Sequence, residues 1–291
     1  MDDEAGHAGG ANADGGGAKT RRETALGGAS VALLVATSAV AFTTGRATLF
    51  GIAWVAFLGM TVAGWFGAKT PQDRPHLLVW GYGLSAGAMV TSAAVFLLPQ
   101  AMRQSMTFGG FGVATGLLVG FAAHTLGHRL AHMDLPFDRT LAELTAHAVS
   151  AGAIIGIIYG NMELGALLGL AIVSHKGPAG YAAVHRYVGR GGDWTAILLP
   201  AAGVGVAAIA SSFLGLPASD AVRGVVFGFA TGVFVHIAMD FLPECELGSE
   251  VHESLEHHDD AHRLLDRLRV HAVASTALGG VAVFVGWLLV A

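Results

Sequence analysis

Apolar residues in this chain gather into runs of about 20, separated by short polar connections. A helix rising about 1.5 Å per residue needs that length to cross a hydrocarbon core of roughly 30 Å. The runs fall at 25–43, 49–68, 77–98, 108–131, 140–160, 162–186, 194–214, 221–242 and 270–290. Backbone groups in lipid must be hydrogen-bonded within the segment, so such runs have to be helices rather than core strands. The pattern predicts an all-α, polytopic membrane helical bundle with nine crossings. Residues 1–24, rich in Gly, Ala and Asp and ending in Lys19, Arg21 and Arg22, carry too little apolar matter to order themselves, and a disordered tail is expected there. Residues 25–291 form the bundle, with a loop rich in His and acidic residues near 243–269. The run at 25–43 has two readings, the apolar region of a signal peptide or a retained helix. It is longer than the usual 7 to 15 residues of the former and lacks a clear cleavage site, so a retained helix is expected.

Composition agrees with the pattern: 53% of the 291 residues are hydrophobic and 13% charged, against about a quarter charged in soluble domains. The 42 glycines suit close helix packing. Gly112, Gly116 and Gly120 follow a small-xxx-small spacing that serves contacts either within one chain or in a homodimer. Alternate connections differ sharply in basic residues. One set holds Lys19, Arg21, Arg22, Lys69, Arg74, Arg129, Arg139, Arg186, Arg190, Arg263, Arg267 and Arg269; the other holds only Arg46, Arg103 and Arg223. The excess belongs inside. This predicts a multi-pass protein of the cell membrane with a cytoplasmic N-terminus, an outer C-terminus and the lipid bilayer as its main partner. Net charge is −5, and without a basic stripe or stacking aromatics nothing points to nucleic acid. The single Cys245 closes no intrachain disulfide and builds no cysteine zinc cage.

Polar side chains inside the runs carry the candidate chemistry. His147 and Ser150 stand three apart in one run. Ser174-His175-Lys176-Gly177-Pro178 interrupts the next with an imidazole, an amine and a proline that frees a carbonyl one turn earlier. Ionisable groups at membrane depth mark pathways more often than not; the plainer reading is that each histidine is a hydrogen-bonding group joining helices. His236, Asp240 and Glu244 recur every fourth residue on one helical face, and either bind a divalent cation or satisfy one another. His124, His128 and His132 repeat likewise on the cytoplasmic side, followed by Asp134 and Asp138. The 243–269 loop adds His252, Glu253, Glu256, His257, His258, Asp259, Asp260 and His262. Both groups read as divalent-metal capture or as solvated surface. His252-Glu253-Ser254-Leu255-Glu256-His257 misses both zinc-protease registers, and no G-x-S-x-G elbow, P-loop or dinucleotide fingerprint occurs. No enzymatic activity and no required cofactor are expected.

Several segments resemble the ZIP (Zrt/Irt-like protein) family of divalent metal transporters over about residues 49–291. Gly87-Ala88-Met89 followed by Phe96-Leu97-Leu98-Pro99-Gln100-Ala101 is similar to that family's second helix, with glutamine in place of a glutamate. Phe229–Glu244 is similar to its seventh helix, His147–Gly152 to its fourth-helix H-N-x-x-E-G, and His175–Gly180 to its fifth-helix H-E-x-P-E-G. His124–Asp138 matches its histidine-bearing cytoplasmic connection. The resemblance implies eight ZIP-like helices plus one extra N-terminal helix, and a metal site entered by His147 and His175. His236, Asp240 and Glu244 would be a further polar station, with Ser150 a weak ligand or hydrogen-bond partner. It also implies a divalent cation, of the zinc, iron or manganese class, as substrate moved by alternating access. The family's binuclear site is altered here: its Asn and Glu positions are Ala148, Ala151, Lys176 and Ala179. Three negative charges are lost and one positive charge is gained, a change of four units that opposes a dication in low dielectric. Two alternatives follow, a transport-inactive metal-binding sensor or structural relative and a transporter of another solute.

Overall fold

The protein was analysed as a computed structural model that describes residues 11–130, 138–247 and 261–289. Among these residues the chain is helical and forms no strand. The first helices are α1 (Ala11–Thr43), α2 (Ala47–Lys69) and α3 (Pro75–Ser92), the last continuing through a π-helical turn at Ala93–Leu97 into α4 (Leu98–Gln104). Then come α5 (Met106–Leu130), α6 (Arg139–Asn161), α7 (Ala166–Val173) and α8 (Lys176–Gly189). A 3-10 turn at Trp194–Ile197 leads into α9 (Leu198–Ser211), followed by α10 (Asp220–Leu247) and α11 (Ala261–Leu288).

Among the described residues eight segments are long and apolar enough to cross a membrane: Arg21–Thr43, Ala47–Lys69, Pro75–Gln104, Met106–Ala123, Leu141–Asn161, Trp194–Ser211, Asp220–Leu242 and Leu265–Leu288. They coincide with eight of the nine expected runs. The run at 162–186 differs, being split into α7 and α8. Its cause is local: Pro178 has no N–H and its ring disfavours the carbonyl four residues back, at Ser174, so the ladder stops there. At the other end, α1 begins at Ala11, inside the stretch expected as a tail. Residues 1–10 lie outside the described residues, as do residues 248–260 of the loop near 243–269.

Lipid offers no hydrophobic drive between helices, so close approach of backbones must hold the bundle. Glycines provide it pair by pair. A methyl group added at Gly116 would lie 2.3 Å from the Phe229 carbonyl oxygen, joining α5 to α10. At Gly152 it would lie 2.2 Å from the Val204 carbonyl oxygen, joining α6 to α9. At Gly67 it would meet the Tyr181 carbonyl oxygen at 2.4 Å, joining α2 to α8, and at Gly279 the Leu84 carbonyl oxygen at 2.4 Å, joining α11 to α3. Gly112, Gly116 and Gly120 thus close on α10 of the same chain. Leu34 of α1 fills the notch at Gly205 of α9.

These pairings sort the helices into two groups. One contains α1, α2, α6, α7, α8 and α9; the other contains α3, α4, α5, α10 and α11. The groups meet along a seam where α3 lies against α7 and α8 and α10 meets α6. Outward faces stay apolar, as at Leu118 and Phe121 of α5 and Val270 and Val273 of α11, all exposed. A polytopic helical protein of the membrane presents such faces to acyl chains.

Candidate functional site

The break between α7 and α8 is pinned by serines of α3. Ser92 Oγ donates to the Ala171 carbonyl at 2.9 Å and Ser85 Oγ to the His175 carbonyl at 3.3 Å. Ser174 Oγ also donates to Ala171, at 2.7 Å. Both α3 serines are fully buried. Ser92 directly precedes the π-helical turn, where an extra residue in the ladder leaves room for this side-by-side bonding. The carbonyl of His175 is further used by the Ala179 N–H at 3.0 Å. His175 precedes the first turn of α8 and makes no side-chain cap to it, which leaves its ring free to enter the seam.

Three of the expected residues meet there. Lys176 Nζ lies 3.1 Å from His147 Nε2 of α6. The rings of His147 and His175 are 5.7 Å apart between centroids, and the edge of Phe234 from α10 meets the His175 ring at 5.4 Å and 88°. His175 and Lys176 are 0% and 1% exposed, and His147 is half-buried. Neither His147 Nδ1 nor either ring nitrogen of His175 has a hydrogen-bond partner of normal geometry among the described residues. The backbone of Ile172, one turn earlier, interacts with the His175 ring as a long hydrogen-bond acceptor. Each unmet buried group of this kind costs about 1–3 kcal/mol. Among the described residues no three His, Cys, Asp or Glu side chains gather as a metal cage would require. The cluster therefore consists of two imidazoles and an amine, with unused nitrogens and no carboxylate cage.

The other expected residues stand elsewhere. Ser150 is exposed and its hydroxyl turns back to the Ala146 carbonyl at 2.8 Å, so it faces away from the cluster. His236 Nε2 lies 3.3 Å from Asp240 Oδ2. Its ring packs against Gly120 of α5, where an added methyl would come within 2.5 Å of Cδ2. It stands two positions after Phe234, which puts the two side chains on roughly opposite sides of α10. Glu244 lies within α10 and His124 and His128 within α5, but their side chains are outside the described residues, as is that of His262. His132, His257, His258 and Asp259 lie outside them altogether.

One polar group escaped the sequence reading. Glu23, 1% exposed, accepts from the Asp138 N–H at 2.8 Å and from the Tyr187 hydroxyl. It ties α1 to the start of α6 and the end of α8, the two helices that carry His147 and Lys176. Its position just after Lys19, Arg21 and Arg22 gives it the look of a solvated tail residue.

Fold and site together define a polytopic helical membrane protein with ionisable side chains buried at a broken helix. No family model matches the chain, and no characterised protein does.

Proposed function

We propose that this protein is a ZIP-like transporter that moves a divalent cation, of the zinc, iron or manganese class, by alternating access. The observation carrying this reading is the pair of imidazoles of His147 and His175, buried at the break between α7 and α8, with His147 Nδ1 unpaired among the described residues. A cation entering the seam would satisfy them. Discontinuous helices whose ends meet inside a bundle are a recurrent way of building such sites, and buried polar groups without partners are what a ligand would pair. Lys176 is the feature a cation must contend with. Its amine already uses His147 Nε2, so binding requires Nζ to move aside or to act as a ligand itself.

A second reading has its own support. The cluster has no carboxylate cage among the described residues, so a transporter of another solute or a metal-binding relative without flux remains a distinct reading. Uptake into liposomes loaded with a metal-sensitive dye separates these. Under the first reading, wild type takes up one of zinc, iron or manganese saturably, and His175→Ala lowers that uptake at least about tenfold, the effect of losing roughly 1.4 kcal/mol of binding. No uptake by wild type, with uptake appearing in Lys176→Glu, rejects the first reading in favour of the second.

A further inference from the structure

The turn between α1 and α2 holds a cation in a fixed place. Gly45, at φ 74°, ends α1 in the left-handed conformation, its N–H donating to the Phe42 carbonyl at 3.2 Å while the Arg46 N–H donates to the Ala41 carbonyl at 2.8 Å. Such a helix end favours glycine there and sets the backbone of the residue that follows. Arg46 Cζ lies 4.3 Å from the centre of the Phe213 ring, which covers one side of the guanidinium. Its Nε is buried without a hydrogen-bond partner among the described residues. Arg46 lines a cavity of about 510 Å³ whose other wall, with Tyr159 and Glu163, comes from the end of α6 and its link to α7. The Tyr159 hydroxyl donates to the Gly165 carbonyl and accepts from the Gly169 N–H, each at 2.7 Å, and so bridges the first turn of α7 and holds that wall. Glu163 is exposed at the rim, and among the described residues it forms no ion pair with Arg46. Two opposite charges thus line one cavity without meeting.

We propose that this cavity is a phospholipid headgroup site, taking a phosphate on Arg46 and a primary ammonium on Glu163. A guanidinium presents forked N–H donors that match phosphate oxygens. The first turn of α2, which begins directly after Arg46, has no side-chain cap, and Thr48 and Leu49 from that turn also line the cavity, so its free N–H groups add to the preference for an anion. Glu163 opposes a simple anion and favours a ligand that carries a cation a short linker away. An ethanolamine ammonium donates hydrogen bonds to a carboxylate; a choline nitrogen has none to donate. The depth is that of headgroups: one membrane span ends at Thr43, the next begins at Ala47, and two others end at Asn161 and Ser211, all within a few residues of the cavity or of Phe213. Phe42, Phe213 and Leu214 beside it are exposed and apolar, and Asn161 Nδ2 donates to the Leu214 carbonyl at 2.9 Å, tying that skirt to the wall. Acyl chains fit such a skirt, whereas free phosphoethanolamine offers the same polar groups with nothing to place there. The site is distinct from the His147 cluster and does not rest on the transporter reading.

Delipidated full-length protein in detergent is titrated with phosphatidylethanolamine, phosphatidylcholine and phosphatidylglycerol of matched acyl chains, and separately with free phosphoethanolamine, and the bound species are read by native mass spectrometry. Wild type is expected to bind its first phosphatidylethanolamine about tenfold more tightly than phosphatidylcholine, the effect of one charge-assisted hydrogen bond. Glu163→Gln is expected to erase that preference by weakening phosphatidylethanolamine alone. Arg46→Ala is expected to weaken both lipids, and Arg46→Lys, which keeps the charge without the fork, to restore part of the loss. Equal binding of phosphatidylethanolamine and phosphatidylcholine by wild type, or tighter binding of phosphatidylglycerol than of either, overturns the proposal. So does a phosphatidylethanolamine preference that survives in Glu163→Gln, a variant at an exposed position that leaves folding intact even if Arg46→Ala does not. Free phosphoethanolamine bound as tightly as the lipid upholds the polar site and rejects the membrane as its source.

Discussion

At the scale of residues, the cluster was legible because polar side chains stand out in apolar runs. His147, His175 and Lys176 are the imidazoles and amine that interrupt two consecutive spans, and the fold brings them together. What the sequence does not reveal is direction. Ser150, three positions after His147, bonds to its own helix, as serines do when the preceding turn offers a carbonyl. His236 turns toward Gly120 because only a glycine leaves space for an imidazole between two helices so close. Glu23 is hidden by its neighbours: a carboxylate after a basic stretch resembles surface, and only the tertiary partners Tyr187 and Asp138 show otherwise. The contact between Lys176 and His147 lends itself to a double-mutant cycle. Removing one partner of a buried pair leaves the other unmet, whereas replacing both by apolar groups is close to neutral. His147→Leu is expected to cost about 1–3 kcal/mol, and Lys176→Met in the same chain to recover most of it. Reversible unfolding of both single variants and the double variant in mixed detergent would measure this, and a loss in the double variant equal to the sum of the two single losses would show that the pair is not coupled.

At the scale of elements, helix existence followed from run length and boundaries from small residues and prolines. The expected spans at 49–68 and 140–160 agree with α2 and α6 within a few residues. The split of 162–186 was signalled by Pro178, but its extent depended on Ser85 and Ser92, which belong to a helix some 80 residues earlier in the chain. The start of α1 at Ala11 carries the helix through Gly15, Gly16 and Gly17, against propensity, ahead of an apolar half docked on α9. Glycines on one helix have opposite consequences according to what faces them. Gly116 of α5 touches the α10 backbone, while nothing lies within 4 Å of a methyl at Gly110. Gly116→Ala is expected to push α5 from α10 and to cost about 1–3 kcal/mol, as overpacking does. Gly110→Ala is expected to be neutral or to gain about 0.5–1 kcal/mol through helix propensity. Thermal unfolding of the two variants checks the pair, and similar shifts in both would mean that the α5–α10 contact does not limit stability.

At the scale of the whole molecule, the two helix groups place the cluster on their seam, with His147, His175 and Lys176 on one side and Phe234, Ser85 and Ser92 on the other. Alternating access, if this chain performs it, has to alter that seam. Gly81 of α3 and Ala182 of α8 face each other across it, with 3.1 Å between the Ala182 Cβ and a Cβ built at Gly81. A small outward adjustment reaches the separation of a disulfide, about 3.5–4.5 Å. In a Cys245→Ser background, Gly81→Cys with Ala182→Cys is expected to form a crosslink that stops uptake and to regain it on reduction. Full uptake by the oxidised, crosslinked protein would show that the seam stays closed during transport. The partition into groups was not legible along the chain, because which glycine meets which carbonyl is a property of helix order in space.

The short length of α7 has an electrical meaning. Eight residues rise about 12 Å; with Ala166 at the boundary of a core of roughly 30 Å, the break they end in lies a little under halfway across. A charge resting at His175 has traversed about half of the membrane voltage, whichever side it entered from. For a doubly charged ion that is about 2.3 kcal/mol per 100 mV. Under the proposed function, occupancy of the cluster would therefore be set by the voltage across the surrounding membrane as well as by concentration, and that voltage would act on this protein as a ligand does.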